Sequence, residues 1–297
     1  PVSFLILFFL AANFTGCDPM TFWKRRSHLT DLVVDMIPPD FSYIQKILLP
    51  LFYTIQMSVT GTVLGIFFAL VLSPFGAANL GFPAVIRRIL RIVIQILRSF
   101  PALILALTAT FLFGLGTFAG TFAITLYTFA IMTKLTYEDA SAADVKAYQA
   151  LRAMGVSKYV AYIHGILPEI IPGFLTNALY LLETNVRHSS ILGYVGAGGI
   201  GLLLNEKISW LEYDKVGTIL LMLFLTVCVI EYFSRYLAAL IRKERTIKKE
   251  QARLLLLFLA ALFLICTFTL SLPDFSTDFA KYVCWLSAAR LELLFLG

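Results

Sequence analysis

Gln149-Ala150-Leu151-Arg152-Ala153-Met154-Gly155, followed by a mixed run and then Leu167-Pro168, is a polar, alanine-rich island set between long apolar stretches. The stretches around it decide the fold. From Ser99 to Thr133 no charged residue occurs, and several other runs reach roughly 20 residues without charge, the length that crosses a hydrocarbon core. A polar segment between such runs belongs at the water interface, where it meets something soluble. The chain therefore reads as an all-α, polytopic membrane helical bundle. The question shifts from what it catalyses to what it is coupled to.

Composition agrees. Of 297 residues, 59% are hydrophobic and 14% charged, and mean hydropathy is +0.85; soluble domains carry about a quarter charged residues. A transmembrane barrel would show alternating segments of about ten residues instead of solid apolar blocks. The net charge of +6 does not point to nucleic acid, because the basic residues collect in a few loops, as the positive-inside rule describes. Cys17, Cys228, Cys266 and Cys284 show no CxxC spacing and read as small buried hydrophobes. After an apolar stretch, Phe14-Thr15-Gly16-Cys17 has the outline of a lipoprotein cleavage site, but the many later spans argue against it. The chain begins with Pro1 inside an apolar run and stops at Gly297, so both ends read as trimmed.

Three regions follow. Residues 1–47 hold part of a first span, at Val2–Phe14, and an extracytoplasmic segment with a helix breaker at Pro38-Pro39. Residues 48–241 form the core, with spans expected at Leu48–Leu72, in two short helices within Ser99–Thr133, at Ile170–Leu182 reaching to about Arg187, and at Val216–Ile241. Gly114, Gly116 and Gly120 mark the turn between the two short helices. Residues 242–297 hold a basic loop at Arg242–Arg253, an extra span at Leu254–Leu272 and a tail from Pro273. The total is about six to seven transmembrane helices. Placing the basic loops inside puts Arg87–Arg98, the island and Arg242–Arg253 in the cytoplasm, and Cys17–Gln45 and Ser189–Trp210 outside; Lys24-Arg25-Arg26 runs against this orientation. Pro-Asp-Phe-Ser occurs at both Pro39–Ser42 and Pro273–Ser276, either as a truncated internal repeat or by chance.

Within the island, cytoplasmic helices are expected over 138–168. Ser141-Ala-Ala-Asp144 has the form of a capping box with Asp in place of Glu. Val145, Tyr148, Leu151 and Met154 recur every three residues as one apolar stripe, while Ala147, Ala150 and Ala153 keep the helix thin enough to seat in a groove. Gly155 suits the left-handed position that ends it. Ser157 can cap a second short helix, and Leu167-Pro168 opens the next span, since proline is tolerated in a first turn. The competing reading is an interfacial hairpin with no partner.

Gln149-Ala150-Leu151, Gly155 and Leu167-Pro168 together resemble the "EAA…G…LP" signature of permease subunits of binding-protein-dependent ABC importers. Gln149 replaces the signature glutamate, and Gly165 stands where an aliphatic residue is usual. The run from Leu182 through Glu183-Thr-Asn-Val-Arg187 to Val195-Gly-Ala-Gly-Gly-Ile-Gly201 resembles the phosphonate-transport branch, and the similarity covers about Leu48 to Ile241. The resemblance implies a type I ABC importer-like permease in the cytoplasmic (inner) membrane of a prokaryote. It implies two ATP-binding subunits carrying ATP and Mg, a second permease subunit, homo- or heterodimeric, and an extracytoplasmic substrate-binding protein. Membrane lipid surrounds it, and no cofactor belongs to this chain. Gln149, Ala150, Leu151, Arg152, Gly155, Leu167 and Pro168 would then couple to the ATPase.

Gly196-Ala-Gly198-Gly199-Ile-Gly201 is formally a GxGxxG, but no strand, βαβ unit or following acid accompanies it. These glycines instead suggest a re-entrant turn or gate near the outer mouth; the alternative is a flexible loop. Glu183 and Arg187 share a helix face at i,i+4 spacing and fall in the outer half of the bilayer. With Asn185 and Ser189 they are candidates to line a translocation path for an oxyanion, or else they form an ion pair that fixes packing. Glu231 and Arg235 read as structural. His28, His164 and His188 form no metal cluster, no P-loop is present and no catalytic triad can be singled out. With the resemblance, the expectation is a transport subunit, not an enzyme, that moves a phosphonate-like oxyanion by alternating access driven by a separate ATPase subunit; the alternatives are an importer permease for another small solute or an ATP-independent channel or facilitator.

Overall fold

The apolar runs become helices because, in lipid, backbone N–H and C=O groups must be satisfied within the segment. The computed structural model describes residues 25–243 and the isolated positions 11, 14 and 20. Most of the expected first span, nearly all of the Arg242–Arg253 loop, the span at 254–272, the tail and the second Pro-Asp-Phe-Ser lie outside the described residues.

The order is α1 (Arg26–Asp35), a 3-10 turn (Phe41–Tyr43), α2 (Ile44–Gly76), α3 (Ala84–Ser99), α4 (Ala102–Phe113) and α5 (Thr117–Ala142). It continues with α6 (Lys146–Ala153), α7 (Lys158–Gly165), α8 (Leu167–Leu192), a second 3-10 turn (Gly193–Val195), α9 (Ile200–Ser209) and α10 (Tyr213–Lys243). Among the described residues α2, α5 and α10 are long and apolar enough to cross a membrane. The bent pairs α3–α4 (93°) and α7–α8 (69°) raise the number to five if each is one span. These five correspond to the core spans expected between 48 and 241.

α2 and α5 form the tightest pair. A Cβ on Gly61 would lie 2.8 Å from Ile124 Cβ, and one on Gly65 2.7 Å from Thr128 Cβ. The G-x-x-x-G spacing thus lets the backbones approach closely, which is how membrane helices pack when apolar burial alone gives no preference over lipid. Half of the apolar window of α2 and of α5 is buried, against 17% for α10, so α10 sits at the periphery.

The bundle has two distinct ends. At one, Ala77, Leu80, Ala140, Tyr148, Ala161, Tyr162, Ile166 and Ile170 form a single buried cluster. At the other, the α4–α5 turn meets the glycine turn after α8, and Asp40 N–H donates to the Asp214 carbonyl at 3.4 Å.

Several boundaries differ from expectation. Only α4 is short; Gly120 lies inside α5, and the turn is Gly114–Gly116. α5 runs on through Lys134 to Ala142, because Tyr137 and Ala140 bury against neighbouring elements beyond its last apolar run. The basic stretch Arg87–Arg98, expected as a loop, is helical: α2 continues to Gly76 and α3 runs from Ala84 to Ser99. Arg91 holds the two together, its Nε donating to the Gly76 carbonyl at 3.0 Å with the guanidinium 5.1 Å from the Tyr137 ring centroid.

Candidate functional site

The polar island folds into two short helices, α6 and α7, ahead of α8. Ser141 is not their cap. It lies in the last turn of α5, where its hydroxyl donates to the Tyr137 carbonyl at 2.6 Å. Asp144 opens the unit instead, accepting from the Lys146 backbone N–H at 3.0 Å; that bond, aided by the Lys146 side chain, holds its carboxyl below the ordinary range. Ser157 caps α7, accepting from Val160 N–H, and Pro168 sits in the first turn of α8. Gly155 ends α6 at φ +86°.

Tyr148 anchors α6, with its hydroxyl donating to the Leu80 carbonyl at 2.7 Å and burial raising its pKa. Val145 and Leu151 pack with it, whereas Met154 is 70% exposed and does not extend the stripe. Arg152 is half-buried and donates to the Val156 carbonyl. The face away from the bundle carries Ala147, Gln149, Ala150 and Ala153, all exposed, with Gly155 just beyond. This is a shallow surface of small side chains.

Gly165 explains its own departure from the signature. A Cβ there would lie 2.8 Å from the Tyr148 nitrogen and 2.9 Å from its Cα, so α6 and α7 cross in backbone contact. Gly165→Leu is expected to wedge them apart, cutting uptake and lowering the apparent melting temperature of the detergent-solubilised protein, at about 1–3 kcal/mol for overpacking. An unchanged melting curve would contradict that contact.

The segment Ser189–Trp210, expected as irregular, is largely ordered. Ser189–Leu192 completes α8 and Ile200–Ser209 forms α9. Only Gly196–Gly199 turns sharply, with φ +87° at Gly196, +79° at Gly198 and +72° at Gly199. It is no loose loop: Ala197 is fully buried, Gly116 N–H donates to the Gly196 carbonyl at 3.0 Å, and Ile200 N–H donates to Thr54 Oγ1 on α2 at 2.8 Å. A Cβ on Gly201 would run into the Ser190 carbonyl oxygen, and one on Gly199 into Thr54 Oγ1.

The four residues expected along one path separate. Asn185 and Ser189 are fully buried. Asn185 Nδ2 donates to Thr62 Oγ1 and Thr128 Oγ1, each at 2.7 Å, and Ser58 Oγ donates to Ser189 Oγ at 2.8 Å. They bolt α8 to α2 and α5. Glu183 and Arg187 lie on the other side, paired with each other, the arginine side chain 49% exposed. At 100° per residue, 183 and 187 fall about 120–160° around the axis from 185 and 189, so one helix cannot present all four together. Tyr180, 63% exposed, shares the open face. Glu231 and Arg235 also pair. Among the described residues no cluster of His, Cys, Asp and Glu could hold a metal ion.

Comparison with known proteins agrees with this architecture. The family described as "Binding-protein-dependent transport system inner membrane component" matches residues 61–272. The phosphite transport system permease protein PtxC of Stutzerimonas stutzeri is 31% identical over 226 residues, 76% of this chain and 82% of that protein. The phosphate-import permease protein PhnE of Mycolicibacterium smegmatis is 32% identical over 203 residues, 68% of this chain and 38% of that one. Among solved structures, an inward-facing form of the MetNI methionine ABC transporter superposes with a TM-score of 0.60 at 20% identity, covering 68% of this chain and 99% of that chain. At such identity the likeness concerns the fold.

Proposed function

This chain belongs to the binding-protein-dependent transport system inner membrane components, the multi-pass permease subunits of ABC importers, and on that premise we propose that its cargo is a small phosphorus oxyanion of the phosphite or phosphonate class. The observation that carries the cargo is the 31% identity to a phosphite permease across 82% of that protein's length. The partners are proposed with it: a pair of ATPase subunits holding ATP and Mg, a second permease subunit and an extracytoplasmic binding protein.

In the proposed mechanism the exposed α6 face (Gln149, Ala150, Ala153, Gly155) seats in a groove of the ATPase. Because α6 and α7 touch at Gly165 and Tyr148, they move together, and the Leu167-Pro168 junction passes the displacement to α8. The Glu183–Arg187 face of α8 then alternates between the two sides, with the Gly196–Gly201 turn closing the outer mouth. Work arrives from ATP hydrolysis elsewhere, and the chain itself makes or breaks no bond.

Cells lacking other phosphate, phosphite and phosphonate importers, supplied with this permease and its partner subunits, are expected to grow on phosphite or methylphosphonate as sole phosphorus source. Growth on neither would overturn the cargo; growth without the ATPase subunits would point to a passive facilitator. Arg187→Ala is expected to lower uptake about ten-fold by leaving Glu183 uncompensated on the path, since unpaired charge at membrane depth is costly. Unchanged uptake would reduce the pair to packing.

A further inference from the structure

The turn between α9 and α10 is firmly held at its base and apolar at its tip. Three backbone bonds of 3.1 Å close it: Trp210 N–H donates to the Glu206 carbonyl, Leu211 N–H to that of Ile208 and Glu212 N–H to that of Lys207. Lys207, its side chain only 8% exposed, clamps the turn from within, its Nζ 3.0 Å from a carboxylate oxygen of Glu206 and 3.0 Å from one of Glu212. The same Nζ stands 4.5 Å from the Trp210 ring centroid and 5.5 Å from that of Tyr43, just ahead of α2. An ammonium group is buried only when it is paired in this way.

Leu211 has φ +60°, and among the described residues it is the one non-glycine with a positive φ. Bulky side chains adopt that region at a cost that glycine avoids. Such strain persists where the surroundings over-determine it, and it collects at functional positions. What the turn displays is apolar: Trp210 is 65% exposed and Leu211 68%.

Depth along α10 indicates what covers them. No charge occurs from Val216 to Ile230, about 22 Å of helix. A hydrocarbon core of about 30 Å therefore draws in residues at both ends and reaches close to Tyr213. The headgroup layer adds about 5–7 Å beyond it, and Leu211 and Trp210, two and three residues ahead of Tyr213, fall there. α10 is also the peripheral span, with 17% of its apolar window buried, so the turn is continuous with a face open to lipid. Tryptophan suits that layer, offering an apolar ring and one N–H for the headgroups.

We infer that Trp210 and Leu211 form a lipid-interface anchor, set in the headgroup layer of the leaflet remote from α6 and α7. The bilayer is the occupant. Because α9 joins the anchor directly to the Gly196–Gly199 turn, the anchor fixes the height of that turn against the leaflet. The inference is independent of the cargo.

A spin label tests it. In the assembled transporter, with every other cysteine replaced by serine, Ser209→Cys carries a nitroxide beside the intact Trp210-Leu211 pair in vesicles of phosphatidylethanolamine and phosphatidylglycerol. The ratio of its collision rates with oxygen and with a water-soluble nickel chelate is expected to be about three-fold higher than for the same label free in water. Trp210→Ala combined with Leu211→Ser should return that ratio to the aqueous value. Leu211→Ser alone, which keeps the contact between Lys207 and Trp210, should bring it part of the way. An aqueous ratio beside the unaltered pair, or a raised ratio that survives the double substitution, would overturn the anchor. A ratio that rises only on adding the extracytoplasmic binding protein would assign the turn to that partner and overturn the anchor equally.

Discussion

Ala150→Glu is expected to reduce uptake to background, a loss on the order of 100-fold, while the protein still reaches the membrane in normal amount. The reason lies in the two sides of α6. Tyr148 faces the bundle and is buried, whereas Ala150 lies on the opposite, exposed side among Ala147 and Ala153. A longer side chain there touches nothing in its own chain, so folding is spared. Seated in an ATPase groove, the same carboxylate would be buried without a partner, and breaking a buried interface in this way costs about 2–5 kcal/mol. Co-purification in mild detergent should show the ATPase subunits lost from the variant and retained by Ala150→Ser. Uptake equal to wild type would remove α6 from the coupling interface.

Gly201→Ala is expected to be the most damaging single methyl group near the outer mouth. Its Cβ would collide with the Ser190 carbonyl oxygen and lie 2.8 Å from Gly193 Cα. Both are backbone atoms that cannot rotate aside, so α8 and α9 would have to part. Overpacking of this kind costs about 1–3 kcal/mol, and loss of the outer seal should abolish coupled uptake. Gly114→Ala is the matched control. Gly114, unlike the helical Gly201, has a positive φ of +86°, yet nothing lies within 4 Å of a Cβ there. It should pay only the backbone strain, about 1–2 kcal/mol. Thermal unfolding of the purified complexes distinguishes crowding from strain; equal melting shifts in the two variants would reject the close approach.

Much of this architecture was legible before any coordinates. Uncharged runs gave the core spans, and the polar island, its Gly155 stop, the Ser157 cap and the Leu167-Pro168 opening were readable because each depends on neighbours in sequence. The Gly61–Gly65 spacing is present in the sequence but went unread as a packing motif, and nothing in the sequence says that α5 is its partner. The path residues show a different obstacle. Glu183, Asn185, Arg187 and Ser189 are close in sequence, but helical periodicity sends alternate members to opposite faces, a signal present in the spacing and hidden by proximity. The glycines of Ser189–Trp210 suggested a turn but left a flexible loop open, because glycine permits both, and only contacts with Thr54, Thr117 and Gly116 select between them.

The turn at Gly196–Gly199 has one more consequence. Its hydrogen bonds reach α2 through Thr54 and the head of α5 through Gly116, so it acts as a rivet through three plates. As the outer gate proposed above, it would not peel open one helix at a time but would slide as one riveted block against whatever faces it across the mouth.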